Sequence, residues 1–81
     1  MGGRFYNWSD KHIISFLEAN GFTWISTHGD DRIYKNDKTN ASVKVTSPRK
    51  STPLGTMMNI VKNSKISKKE WLKYREGNFK N

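Results

Sequence analysis

The sequence contains no cysteine, only two histidines and only two prolines among its 81 residues. The absence of cysteine excludes disulfides, thiolate zinc sites and thiol nucleophiles. Two histidines without a cluster of carboxylates argue against a metal site built from side chains. No apolar run reaches the roughly 18 residues of a membrane-spanning helix, and residues 1–6 lack the apolar stretch of a secretory signal. We therefore expect a cytoplasmic protein that uses no cofactor.

Acidic residues are also scarce, with seven Asp and Glu against 15 Lys and Arg, which gives a net charge of +8. Residues 1–43 hold five basic and five acidic side chains, whereas residues 44–81 hold ten basic and two acidic ones. A neutral half joined to a cationic half predicts one face that binds a polyanion such as RNA. The alternative is a solvated, Lys-rich surface. The length predicts a single domain over residues 1–81, with its core at about 8–76.

The apolar pattern predicts one helix followed by three strands. The helix is expected over about residues 10–20, since Ser9 can cap its first turn and Gly21 can end it. Segments rich in β-branched and aromatic residues, joined by short polar links, predict strands at 22–27, 32–35 and 41–46. Three such strands form an antiparallel meander.

Two further helices are predicted after the strands. One begins with Thr52 as its cap and Pro53 in its first position, and ends near Asn63. A shorter helix covers about residues 68–76, after a capping box from Ser67 to Glu70. The prediction is an α+β fold of dsRBD-like order α-β-β-β-α, a three-stranded antiparallel sheet with two helices on one face plus a short C-terminal helix.

Four segments occur in the order and spacing of one known family. Residues 45–56, VTSPRKSTPLGT, are similar to V-P-x-P followed by basic or polar residues and L-P-x-G-T. Residues 20–22, NGF, are similar to N-G-W or N-G-F, and residues 66–71, ISKKEW, to I-S-x-E-E-W. Residues 29–34, GDDRIY, stand in the place of G-S-H-x-x-Y. Over residues 8–75 the chain thus resembles the HicA-family (YcfA-like) toxins of type II toxin-antitoxin systems.

This resemblance implies an mRNA endoribonuclease, a cytoplasmic hydrolase neutralised by a HicB-type antitoxin protein. The family's catalytic residue is the His of G-S-H, and Asp31 occupies that position. Metal-independent RNA cleavage needs a base for the 2′-hydroxyl proton. Either Asp31 is that base, or His28, at the tip of the hairpin, is the base and Asp31 orients it. The alternative is a catalytically inactive RNA-binding protein of the same fold.

The candidate RNA-binding residues are four cations and one aromatic residue. Phosphate contacts are expected from Lys44, Arg49, Lys50 and Lys62, and Tyr34 is a candidate for stacking on an unpaired base, as is Trp24. Both aromatic rings can equally belong to the core. An unrelated double-stranded-RNA-binding module is a weaker alternative, because such modules usually carry a Lys-Lys pair where this sequence has residues 53–55, PLG.

Overall fold

A computed structural model describes residues 5–78. In this part of the chain, three helices and three strands follow one another as α1 (Asp10–Ala19), β1 (Phe22–His28), β2 (Asp31–Asn36), β3 (Ala41–Thr46), α2 (Leu54–Ser64) and α3 (Lys68–Asn78). The predicted α+β order is confirmed: a helix, a three-stranded antiparallel sheet and two helices. The last helix is as long as α2, since each has 11 residues.

Helix α1 begins and ends where the sequence predicts. The Ser9 hydroxyl accepts a hydrogen bond from the His12 backbone amide at 3.2 Å, which satisfies a donor of the first turn. Its apolar stripe is buried at Ile13, Phe16 and Leu17. Gly21 then has a φ of +90°, a conformation that costs glycine little. The chain therefore leaves α1 directly into β1.

The sheet has the order β1-β2-β3, with antiparallel pairing throughout. Trp24, Tyr34 and Val43 are register partners, so they lie on the face that meets the helices. The alternate positions, including Asp31 and Lys44, therefore lie on the outer face. The register shifts between Trp24 and Ser26, which leaves Ile25 in a β-bulge with 55% of its surface exposed.

Buried side chains from all three helices and the sheet form one hydrophobic cluster. Trp71 of α3 lies within it, with its ring centroid 4.0 Å from that of Phe16 and 5.3 Å from that of Trp8. Its indole N–H donates to the Ser64 hydroxyl at 3.2 Å. Ile66 packs against the same cluster. Helix α3 is therefore part of the folded unit, as its apolar residues predict.

The predicted start of α2 is wrong by one residue. The helix begins at Leu54, with Pro53 in the capping position and no side-chain hydrogen bond there. Thr52 lies in the preceding loop, where its backbone amide donates to the Trp8 carbonyl at 2.8 Å. Within residues 5–78 no helix has the length and apolar character needed to cross a membrane.

Candidate nucleic-acid interface

An open groove of about 450 Å³ lies at the β3 edge of the sheet, beside α2. The sheet, the loop after β3, and α2 all contribute to it. The residues that line it are Asp31, Lys44, Thr46, Arg49, Thr56, Asn59, Ile60 and Asn63. We refer to this feature as the groove.

Strand alternation places the sheet side chains of the groove. Val43 and Val45 face the core, so Lys44 and Thr46 on the same strand face outward. Asp31 of β2 is the register partner of Thr46. The Thr46 hydroxyl donates to Asp31 Oδ1 at 2.8 Å, and Lys44 Nζ lies 4.0 Å from Asp31 Oδ2. The three side chains form a hydrogen-bonded and ionic set at the end of the sheet.

The opposite wall of the groove belongs to α2. Thr56, Asn59 and Asn63 are three and four residues apart, which places them on one side of the helix. Ile60 lies between this side and the buried stripe and is only 4% exposed. The groove therefore has a polar helical wall with an apolar contact at its base.

Arg49 is positioned by a set of bonds to α1, which we call the loop anchor (Asp10, Ser47 and the backbone of Arg49). The Asp10 amide donates to the Arg49 carbonyl at 2.8 Å. The Ser47 hydroxyl donates to Asp10 Oδ2 at 2.5 Å. Burial raises the pKa of Asp10, but bonds from the Ser47 hydroxyl and backbone amides, including that of Arg49, outweigh burial and lower the pKa overall. The carboxylate thus holds the loop against the first turn of α1.

Lys44 and Arg49 give the groove two cations against the single carboxylate of Asp31. The Lys44 and Asp31 side chains are 66% and 36% exposed. A pair in such contact with water contributes at most about 1 kcal/mol. The contact with Asp31 therefore holds the Lys44 ammonium only weakly in place.

The structure brings three of the predicted site residues, Asp31, Lys44 and Arg49, into one groove. His28 is the register partner of Asp31 across the turn between β1 and β2, but it does not line the groove. Lys50 and Lys62 are exposed and also lie outside the groove lining.

The two aromatic candidates differ in exposure. Tyr34 is fully buried at 0%, so a base cannot stack on its ring without disrupting the core, and we leave it out of the site. Trp24 is 48% exposed, with the Arg32 guanidinium 4.2 Å from its ring centroid. It lies on the opposite face of the sheet from Asp31, as the register requires. The alternation of apolar residues along the strands predicted that one face of the sheet is buried. It did not indicate that the helices cover the ring of Tyr34 and leave that of Trp24 half exposed.

Sequence reasoning missed the polar wall of α2 and the loop anchor. The wall had a signal, since Thr56, Asn59 and Asn63 recur at helical spacing beside the apolar stripe. Asp10 had none, because its partners are 37 and 39 positions away in the sequence. The α2 side chains line the groove, and the loop anchor holds Arg49 beside it.

Within residues 5–78, no group of three or more His, Asp or Glu side chains is arranged to hold a metal ion. A scan against protein-family models and a search of curated proteins find no match to the chain.

Proposed function

We propose that this chain is a HicA-like toxin of dsRBD-like fold, an mRNA endoribonuclease that binds a single RNA strand along the groove. One observation carries the proposal. Asp31, in the sequence position where the HicA family keeps its catalytic histidine, lies in the same groove as Lys44 and Arg49. A potential base and two phosphate-binding cations are what metal-independent RNA cleavage requires.

The proposed reaction begins when a carboxylate oxygen of Asp31 takes the proton of a ribose 2′-hydroxyl. The 2′-oxygen then attacks the adjacent phosphorus, the bond to the 5′-oxygen breaks, and a proton from water or an acid completes the leaving hydroxyl. The products are a 2′,3′-cyclic phosphate and a 5′-hydroxyl end. Lys44 and Arg49 would stabilise the added negative charge on the phosphate oxygens. Thr46 occupies one of about four acceptor sites on the Asp31 carboxylate, which leaves others for substrate.

Cleavage is tested with purified protein and a labelled mRNA fragment in the presence of a chelator. If Asp31 is the base, Asp31→Asn should abolish product formation, and His28→Ala should have a small effect. If His28 is the base and Asp31 orients it, His28→Ala should be the more damaging change. His12→Gln is the matched control, because His12 lies on α1 and does not line the groove. Full activity in both the Asp31 and His28 variants would contradict the proposed chemistry.

The alternative function is a catalytically inactive RNA-binding protein of the same fold. It is favoured by the contacts of Asp31, since Thr46 and Lys44 engage both of its carboxylate oxygens, as expected for a side chain that holds β2 against β3. RNA binding without cleavage by the unsubstituted protein would support this alternative. Cleavage gained by Asp31→His would then identify a toxin that has lost its base.

RNA binding itself is tested by the dependence of affinity on salt. Each phosphate contact to a single strand contributes about 0.7 to the slope of log affinity against log salt. Lys44→Gln and Arg49→Gln should each reduce the slope by about that amount. Lys11→Gln, on α1 and outside the groove, is the matched control and should change the slope less. Equal slopes for all four proteins would place the phosphate path elsewhere.

A HicB-type antitoxin and a cytoplasmic location belong to the same proposal. Expression of the chain alone should slow cell growth, and co-expression of the antitoxin encoded beside it should restore growth. Normal growth without the antitoxin, at a protein level confirmed by immunoblot, would contradict the toxin function and leave RNA binding to be judged by the salt experiment.

A further inference from the structure

Two asparagine side chains face the groove from α2. Asn59 and Asn63 are one helical turn apart, on the same side as Thr56. Both residues are exposed, and within residues 5–78 the structure gives neither side-chain amide a hydrogen-bond partner. Two donor–acceptor groups are therefore directed to the same space as the groove cations.

Two other asparagines, Asn20 and Asn36, make structural bonds with their side chains. The Asn20 amide donates to the Phe16 carbonyl at 2.8 Å, and the Asn36 amide donates to the Asn20 carbonyl at 3.0 Å. Asn59 and Asn63 make no comparable bond within the described residues. Both side-chain amides are therefore available to a ligand in the groove.

We propose that Asn59 and Asn63 determine the base specificity of the groove by binding the edge of an unpaired adenine. This inference rests on the proposed RNA binding and adds the base to it. An asparagine amide offers one acceptor and a donor group, which match the N6 donor and N7 acceptor of adenine. Ile60, which is only 4% exposed, closes the base of the groove beside the two amides.

The dimensions and the charges of the groove favour one unpaired nucleotide. Its volume of about 450 Å³ is within the range of roughly 300–1,000 Å³ for sites that enclose small molecules. Lys44 and Arg49 line the same space, so a base on the α2 wall would have its phosphate beside these cations. Sequence-specific RNA recognition usually involves single strands, because their bases can turn out and expose their edges.

The test uses short oligouridines with 2′-fluoro sugars, which lack the attacking hydroxyl and cannot be cleaved by the proposed route. Each probe carries a single central A, C or U, and binding is measured by fluorescence anisotropy. The unsubstituted protein should prefer the A probe over the U probe by about 5- to 150-fold. Asn59→Ala combined with Asn63→Ala should abolish this preference. The helix itself should survive, because alanine is the better helix former.

Two control variants separate base recognition from general binding. Lys44→Gln should weaken the binding of all three probes by the same factor. Lys11→Ala, at an exposed position of α1 outside the groove, should preserve the preference for A. Equal binding of the three probes by the unsubstituted protein would overturn the base assignment and leave RNA binding intact. A uniform loss in the double asparagine variant would overturn it as well, because the amides would then contact the RNA backbone. Failure to bind any probe would contradict the proposed function itself.

Discussion

The loop anchor gives a stability prediction that can be worked out from its bonds. Ser47→Ala removes the hydroxyl that donates to the buried Asp10 carboxylate at 2.5 Å. A hydrogen bond to a charged group contributes about 1.5–3 kcal/mol to stability. For a domain of this size, 1 kcal/mol corresponds to about 4–8 °C in Tm. We therefore expect Ser47→Ala to lower Tm by roughly 6–24 °C at neutral pH.

Thermal unfolding followed by circular dichroism measures this effect, and Ser51→Ala is the matched control. Ser51 lies in the same loop, but its exposed hydroxyl makes a longer bond, 3.3 Å to the Asn7 side chain. Its removal should change the free energy of unfolding by no more than about 0.5 kcal/mol. If Ser47→Ala costs no more than Ser51→Ala, the anchoring role of Asp10 is wrong.

A double-mutant cycle and a pH series identify Asp10 as the partner. Asp10→Ala and Ser47→Ala should be strongly non-additive, because either change alone breaks the same bond. The folded pKa of Asp10 is lowered, so the stability it contributes is fully present above the unfolded value of about 3.9. It is lost as the pH falls through the folded pKa. Additive free energies of unfolding in the cycle would show that the two side chains act independently.

Three further predictions concern the helices. Burial and the nearby charge of Arg75 lower the pKa of His12, so the free energy of unfolding should decrease as the pH falls below about 6.5. Urea unfolding at several pH values should show a smaller decrease in His12→Gln. An equal decrease in both proteins would contradict this role of His12. Ser67→Ala should lower the free energy of unfolding by roughly 0.5–2 kcal/mol in chemical denaturation, because the Ser67 hydroxyl accepts a hydrogen bond from the Glu70 amide at 3.4 Å. An unchanged free energy of unfolding would show that this cap does not stabilise α3. Lys65 ends α2 with a φ of 62°, a conformation that glycine adopts more easily than lysine. Lys65→Gly should therefore raise Tm by relieving about 1 kcal/mol of backbone strain. A lower Tm would mean that the bond from the Lys65 ammonium to the Thr39 carbonyl stabilises the fold by more than this strain costs.

The local elements were predictable because their signals are local. Ser9 and Gly21 delimit α1, and alternation at Val43 and Val45 identifies both β3 and its buried face. The start of α2 was not predictable to the residue. Thr52 and Pro53 together favour a helix start, but a sequence pattern does not fix that start to within one residue.

The candidate site was predictable in part for the same reason. Asp31, Lys44 and Arg49 stand out by motif and charge, and the sheet register brings the first two together. The sequence left Tyr34 as either a core residue or an RNA-stacking residue, because the helix packing that buries its ring is a tertiary property. The alignment of Asn59 with the groove depends on how α2 packs against β3, which is a tertiary property.

The bulge at Ile25 bears on how this protein behaves at high concentration. Strand β1 is an outer strand of the sheet, and such strands can pair with the same strand of another molecule. The extra residue interrupts the regular spacing of backbone donors and acceptors and increases the local twist. A second copy would therefore meet an edge whose pattern does not match a straight strand. Ile25 thus opposes fibril-like association by its place in the backbone, although its own side chain is apolar and exposed.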